Sequence, residues 1–250
     1  ERGFDAGAAA HFGIGYAPRG GEELARHLRE KGFTDDELTT GGLCGRGSRG
    51  IYDRFRGRVV WPIRDITGDT VGFGARRIFD DDPMEAKYVN TPETVLYKKS
   101  SVLFGLDMAK RDIAKAHRAV VVEGYTDVMA AHLSGVTTAV ATCGTAFGAD
   151  HVRVVRRLLG DVDDPAAGVV TGEDFTFGKG RGGNVGVLRD IGAGAGVEAR
   201  AVGPVSEEGE VVSSSRIRDA LKAGDCHTAA RLLTPNFPDR AKPLRYYQEI

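Results

Sequence analysis

Cysteine is scarce in this 250-residue chain. Cys44, Cys143 and Cys226 are the three it has, far apart and with no CxxC pair. That spacing argues against a zinc module or a disulfide framework and points to a reducing, cytoplasmic setting. Long apolar runs are lacking too: nothing approaches the ~18 residues that a membrane-spanning helix needs, and no signal peptide opens the chain. Neither sign of charge dominates. The 34 Lys and Arg against 35 Asp and Glu leave a formal net charge of −1, so no global basic signature announces a nucleic acid or an anionic membrane. There is no internal repeat. The first residue is Glu1 rather than methionine, which points to further sequence upstream.

What is present is an ordinary globular composition, 41% apolar and 28% charged, on a chain long enough for one large domain or two smaller ones. The most informative stretch is 119–128, Ala-Val-Val-Val-Glu-Gly-Tyr-Thr-Asp-Val. Val120 to Val122 are β-branched, with charge before and glycine after, and read as a buried parallel strand. Glu123 then stands at the carboxyl end of that strand, where open α/β sheets place their ligands. It is a candidate metal-binding or acid–base carboxylate; the other reading is a loop glutamate that caps the next helix.

Upstream, residues 1–50 read as a small helical region. Leu24 and Leu28 stand at i, i+4 spacing in a helix over 22–31 that Gly32 stops, and Thr34 with Glu37 has the spacing of a capping box. The period then changes. Residues 58–63 and 70–76, about a turn at Thr67-Gly68-Asp69, predict a β-hairpin, and the alternating Gly72 and Gly74 are expected to leave room for a backbone or a ligand. Residues 79–99 read as a polar connection. Helix 106–116, strand 119–122, helix 126–133, strand 138–142 and helix 150–159 come next, in the doubly wound order. Residues 161–167 read as a linker or seam. Beyond it we expect a strand at 168–171, a helix at 184–191, a loop at 192–196 and a strand at 197–205. A helix capped by Ser214 or Ser215 runs to Lys222, and a last helix spans 226–233. The tail, 235–250, carries no pattern.

Five ordered motifs carry a specific resemblance. They are Tyr52-Asp53-Arg54-Phe55-Arg56-Gly57-Arg58, Pro62-Ile63-Arg64-Asp65, Gly72-Phe73-Gly74-Ala75-Arg76, Lys87-Tyr88-Val89-Asn90-Thr91-Pro92-Glu93-Thr94, and Val122-Glu123-Gly124-Tyr125-Thr126-Asp127-Val128. Residues from about 3 to 160 thereby resemble the catalytic core of bacterial DNA primase. The resemblance implies an α/β fold class: a mixed α/β amino-terminal subdomain over 1–110, then from 111 to 160 part of a TOPRIM domain, a Rossmann-like parallel sheet with flanking helices. It implies template-directed RNA primer synthesis from nucleoside triphosphates on single-stranded DNA, with Mg²⁺ or Mn²⁺ as cofactor and no zinc in this chain. Glu123 matches the family's acidic TOPRIM glutamate, a catalytic carboxylate that holds metal. Arg54, Arg76, Lys87, Asn90 and Lys99 match polar positions near that site, where they would neutralise triphosphate or template phosphates. Tyr88 would stack on a base. The family's zinc-binding region, the rest of its helical subdomain and its helicase-interacting domain are not seen, so the replicative helicase is not an expected partner; nor is a membrane, given the lack of a long apolar run.

The TOPRIM pattern also calls for an Asp-x-Asp pair on a later strand, and residues 161–250 hold no Asp-Gly-Asp. Asp161-Val162-Asp163 has the spacing but stands before a proline at a helix end, and reads as linker charge. The remainder of the chain resembles a different family. Val170-Thr171-Gly172-Glu173-Asp174-Phe175-Thr176-Phe177-Gly178 and Val212-Ser213-Ser214-Ser215-Arg216-Ile217-Arg218 are similar to the FMN adenylyltransferase part of bifunctional riboflavin kinase/FAD synthetase. That resemblance covers 168–234 and implies an ATP-phosphate loop in which Ser214, Ser215 and Arg218 meet at a helix N-terminus. Gly178 to Gly183 formally fits GxGxxG, but no acidic residue stands where a ribose would need it. The chain thus reads as a fusion of a truncated primase core with a nucleotidyltransferase-like segment. Strands 168–171 and 197–205 are expected to extend the sheet begun by 119–122 and 138–142, and Glu173 would then take the place of the missing acidic pair beside Glu123. Primer synthesis is the leading expectation. A catalytically incomplete module that binds nucleotide or single-stranded nucleic acid is the alternative, and an FMN adenylyltransferase-related fragment is a third.

Overall fold

Helix α1 (Ala6–His11) starts at Asp5, whose carboxylate accepts the Ala8 N–H at 2.7 Å. Strand β1 (Gly15–Ala17) and helices α2 (Glu23–Glu30) and α3 (Asp35–Thr40) come after it. The capping box at Thr34 and Glu37 is present, with Thr34 accepting the Glu37 N–H and Glu37 accepting the Thr34 N–H. A hairpin of β2 (Cys44–Gly47) and β3 (Gly50–Asp53) then packs Cys44 and Ile51 against Ala25 and Leu38. Asp53, buried at the end of that hairpin, accepts the Leu24 and Ala25 N–H groups at 2.8 and 2.9 Å. A carboxylate 28 residues downstream of Ala25 therefore satisfies the first donors of α2, which has no side-chain cap of its own. The structure is a computed structural model and describes residues 4–82, 84–160, 167–177, 180, 182–194, 196–204, 206–207 and 210–233.

The expected hairpin forms from β4 (Arg58–Arg64) and β5 (Thr70–Arg77). Asp65 closes its turn by accepting the N–H groups of Thr67, Gly68 and Asp69 at 2.9 to 3.0 Å. The stretch read as a polar connection contains a strand, β6 (Tyr88–Asn90), which pairs with β5 and completes a sheet in the order β1-β4-β5-β6, antiparallel throughout. The glycines of β5 leave room that side chains of the same chain fill. A Cβ at Gly72 would lie 3.2 Å from Thr91, and one at Gly74 would lie 2.4 Å from the Tyr125 ring.

A second sheet is built from β7 (Leu103–Phe104), α4 (Leu106–Ala116), β8 (Val120–Val122), α5 (Tyr125–Leu133), β9 (Ala139–Thr142) and α6 (Ala149–Leu159). Its order is β7-β9-β8, with β8 parallel and β7 antiparallel to β9. The parallel strand ending at Glu123 is therefore real, but its expected burial is not. β8 is an edge of this sheet, and Val121 is 42% exposed on it. One core cluster joins the two sheets through Phe12, Trp61, Tyr97, Phe104, Tyr125 and Met129; another lies under α4 and α6.

The chain divides into two compact units, Glu1–Asp161 and Val162–Ile250. In the second, β10 (Ala167–Gly172) is followed by the short pair β11 (Thr176–Phe177) and β12 (Gly183–Asn184), α7 (Val185–Gly194) and β13 (Val197–Val202). β10 and β13 pair in parallel over six positions. They form a two-stranded sheet of their own in the second unit and, among the described residues, do not pair with β7, β8 or β9, so that expectation is corrected: hydrogen-bonded pairing joins β10 to β13 alone. A small antiparallel pair, β14 (Ser206–Glu207) and β15 (Glu210–Val211), precedes α8 (Ser214–Lys222) and α9 (Cys226–Leu233). Two local readings shift. Residues 192–194 continue α7 rather than forming a loop, since Gly192 lets the helix lie against the Val197 carbonyl, 2.5 Å from where a Cβ would sit. The cap of α8 is Ser213, not Ser214 or Ser215: its backbone is extended and its hydroxyl accepts the Arg216 N–H at 3.3 Å. The Asp161-Val162-Asp163 run and the tail 235–250 lie outside the described residues.

Candidate active site

Glu123 comes directly after β8 and is exposed. The helix after it is capped by another residue: the Gly124 N–H donates to Asp127 Oδ2 at 3.1 Å. The Glu123 carboxylate is thus not spent on capping, and no hydrogen bond or ion pair holds it among the described residues. Tyr125, two residues on, ties this strand end to the first sheet. Its ring stacks on Trp61 at 5.6 Å and meets Phe104 edge-on at 4.8 Å, and its hydroxyl donates to Asn90 Oδ1 at 2.8 Å. Asn90 Nδ2 in turn donates to the Cys143 carbonyl at 2.7 Å, beyond the end of β9. The Asn90 amide therefore already spans the two sheets, leaving one N–H for anything else. Burial pushes the Tyr125 hydroxyl upward and the Cys143 thiol up to about 11, so both stay neutral near pH 7.

The register of β5 and β6 arranges the polar residues. Gly74 pairs with Asn90 and Arg76 with Tyr88, and residues two apart on a strand share a face. Tyr125 covers Gly74 and holds Asn90, so Arg76 and Tyr88 stand one step along the face to which the helix after Glu123 is fastened. Arg76 is half-buried with its Nε buried and lacking a hydrogen-bond partner among the described residues; Arg54 is in the same condition. A desolvated guanidinium donor without an acceptor is costly in the free protein and favours an oxygen ligand. Tyr88 is 40% exposed, as a base-stacking ring must be, and Lys87 before it is exposed.

Lys99 is half-buried and held through its backbone. Its N–H donates to Glu93 Oε1 at 2.9 Å, and its carbonyl lies 2.8 Å from Nε2 of the buried His151. The Gly148 N–H donates to the other ring nitrogen at 3.2 Å, which makes Nε2 the protonated one and its contact with Lys99 a donated bond. A further device could not be read from the sequence. Arg58, with 2% of its side chain exposed, pairs through Nε with Asp82 at 2.8 Å and donates to the carbonyls of Ala86 and Met84 at 3.0 Å each. It clasps the segment that delivers Lys87 and Tyr88; its presence in the Tyr52–Arg58 motif was the one available signal.

In the second unit, Glu173 is exposed just past β10, with its N–H donating to the Val202 carbonyl at 3.1 Å. Ser214 is the first residue of α8, and Ser215 and Arg218 lie on that helix. Among the described residues, no three His, Cys, Asp or Glu side chains gather closely enough to hold a metal ion. Glu123 thus fits a divalent ion shared with phosphate oxygens and water, as Mg²⁺ is often held, and not a cage made by the protein alone.

The chain matches the DNA primase catalytic core, N-terminal domain, over residues 1–110, the Toprim domain over 117–166 and FAD synthetase over 162–216. It is 68% identical over 161 residues to the DNA primase of Mycolicibacterium smegmatis, an alignment covering 64% of this chain and 25% of that protein. It is 60% identical over 189 residues to the DNA primase of Streptomyces coelicolor, covering 76% and 28%. The chain spans about a quarter of the length of these curated relatives. Among solved structures, the RNA polymerase domain of Mycobacterium tuberculosis primase DnaG in complex with double-stranded DNA superposes with a TM-score of 0.71 at 48% identity, over 93% of this chain and 70% of that one. The motif order, the strand that presents Glu123 and these likenesses agree: the chain belongs to the DnaG-type bacterial DNA primase catalytic-core family.

Proposed function

We propose that this chain carries the catalytic surface for template-directed RNA primer synthesis, joining nucleoside triphosphates on a single-stranded DNA template. The observation that carries the reading is the free Glu123 carboxylate at a parallel strand end, fastened through Tyr125 and Asn90 to the face that bears Arg76 and Tyr88. In the reaction a 3′-hydroxyl attacks the α-phosphate of the incoming triphosphate and pyrophosphate leaves. Arg76, Arg54, Lys87 and Lys99 bind and orient the phosphates, and Tyr88 stacks on a base to hold the template or nucleotide in register. Glu123, together with phosphate oxygens, would hold Mg²⁺ or Mn²⁺, and such an ion would supply charge neutralisation for the attacking and leaving oxygens.

A second reading is a module that binds nucleotide or single-stranded nucleic acid without turning it over. The lack of any group of three metal-ligating side chains among the described residues favours it. In the second unit, Ser214, Ser215 and Arg218 are read as a phosphate-binding group at the start of α8. A primer-synthesis assay on a single-stranded template with Mg²⁺ or Mn²⁺ separates the two readings. Under the first, wild type makes primers and Glu123→Gln reduces synthesis by a factor of at least ~10² while template affinity stays within about twofold. Primers made equally well by Glu123→Gln would remove Glu123 from the chemistry. No product from the wild type, with template binding that weakens as salt rises, would establish the binding module.

A further inference from the structure

A groove of about 310 Å³ opens in the first unit outside the site described above, between the end of β4, the segment 96–106 and α6. Its floor is aliphatic. Leu103 and Leu106 are buried beneath it, Val102 and Val154 are half-buried in its wall, and Leu96 and Ile66 are 63% and 42% exposed at its lip. Its rim is cationic. Lys98 and Arg157 have no ion-pair partner among the described residues, and Arg64 stands 3.7 Å from Asp107. The rim's acidic residue, Asp65, directs its carboxylate into its own turn, where three N–H groups and the Thr67 hydroxyl donate to it.

We propose that this groove docks an acidic, amphipathic peptide segment of a partner protein, with an aliphatic or aromatic side chain seated on the Leu103–Leu106 floor and carboxylates on Lys98 and Arg157. Charge complementarity sets the sign of the partner: two cations with no ion-pair partner among the described residues line the groove, while its one acidic lining residue accepts hydrogen bonds within its own turn. The floor sets its class. Single-stranded nucleic acid is held by bases stacking on aromatic rings, and no aromatic side chain lines this groove among the described residues. An aliphatic floor with a charged rim is instead the form of a peptide-docking groove, in which one or two apolar anchors carry affinity and charge fixes register.

The test uses the full chain and a fluorescein-labelled decapeptide alternating aspartate with leucine and phenylalanine, read by fluorescence anisotropy, beside a decapeptide with lysine in place of aspartate and a labelled oligo-dT. The acidic peptide is expected to bind at least about tenfold tighter than the lysine peptide, and to lose at least about tenfold on Lys98→Glu/Arg157→Glu and on Leu96→Asp. Oligo-dT affinity should stay within about twofold in Leu96→Asp. Leu96 is exposed, so that variant is expected to fold; matching thermal melts confirm it, and Leu96→Ser repeats the measurement if they differ. Acidic-peptide affinity unchanged by these substitutions overturns the proposal. So does oligo-dT binding that falls with them while peptide binding does not, an outcome that gives the groove to nucleic acid.

Discussion

Glu123 and Gly74 show how much depends here on single positions. Sequence alone leaves Glu123 either as a cap for the next helix or as a free carboxylate, because both readings fit a Glu-Gly pair after a strand. The structure decides between them through Asp127, which takes the capping bond. Gly74 is a glycine because the Tyr125 ring occupies its side-chain space. Gly74→Ala is therefore expected to destabilise the first unit by about 1–3 kcal/mol, measured by urea denaturation with an unchanged m value. A stability equal to wild type would show that the ring moves aside freely. Thiol reactivity depends on burial in the same way. Burial pushes both Cys44 and Cys143 up to about 11, while Cys226 is exposed. A thiol reagent at about pH 7–8 is expected to titrate one cysteine in the native protein and three in denaturant. Rapid reaction of two or three in the native state would contradict the burial of Cys44, Cys143 or both.

Among elements, the long periodic ones were legible, and of the short ones only those with a local signal, such as the valine run of β8 and the capping box of α3. The β4–β5 hairpin and helices α4, α5 and α6 stand within a residue or two of where spacing, capping residues and glycines put them. Strands β1, β6 and β7 are two or three residues long, too short for a period, and exist because distant partners pair with them. The clasp of Arg58 on the 82–86 segment was illegible for the same reason: nothing near Arg58 in sequence indicates an acid as distant as Asp82. The motifs named most of the candidate site, but only the register of β5 and β6 shows which of its residues share a face. The clasp can be tested. Arg58→Ala leaves the buried Asp82 carboxylate without its cation and is expected to cost on the order of 3 kcal/mol. It should also weaken template binding more than Asp80→Ala does. Burial alone would raise the Asp82 carboxyl, but the Arg58 guanidinium and the Met84 N–H outweigh it and hold the group below the ordinary carboxylate value. A lowered folded pKa stabilises above the unfolded value of about 3.9, and that stability disappears as pH falls through the lower folded value. Between about pH 7 and pH 5 the wild type should therefore change little through this group, with loss beginning below about pH 4. That acid loss should be smaller in Arg58→Ala, as denaturation midpoints across pH would show.

For the whole chain, a net charge of −1 hides a local organisation: Arg54, Arg76, Lys87 and Lys99, read as phosphate ligands beside Glu123, all belong to one folded unit and matter by position, not by sum. Oligonucleotide affinity is expected to fall as salt rises, with the slope of log K against log salt reduced by about 1 when Lys87→Ala removes one phosphate contact. An unchanged slope would place Lys87 off the nucleic-acid path. The order β7-β9-β8 has a kinetic side as well. The central strand of that sheet is the last of the three in the chain, so neither Leu103–Phe104 nor Val120–Val122 has a neighbour in it until Ala139–Thr142 emerges from the ribosome. The β4–β5 hairpin closes locally and early, whereas the strand that presents Glu123 waits on residues made about twenty positions later. During synthesis, the carboxylate is put in place only after the surface that bears Arg76 and Tyr88 has been assembled.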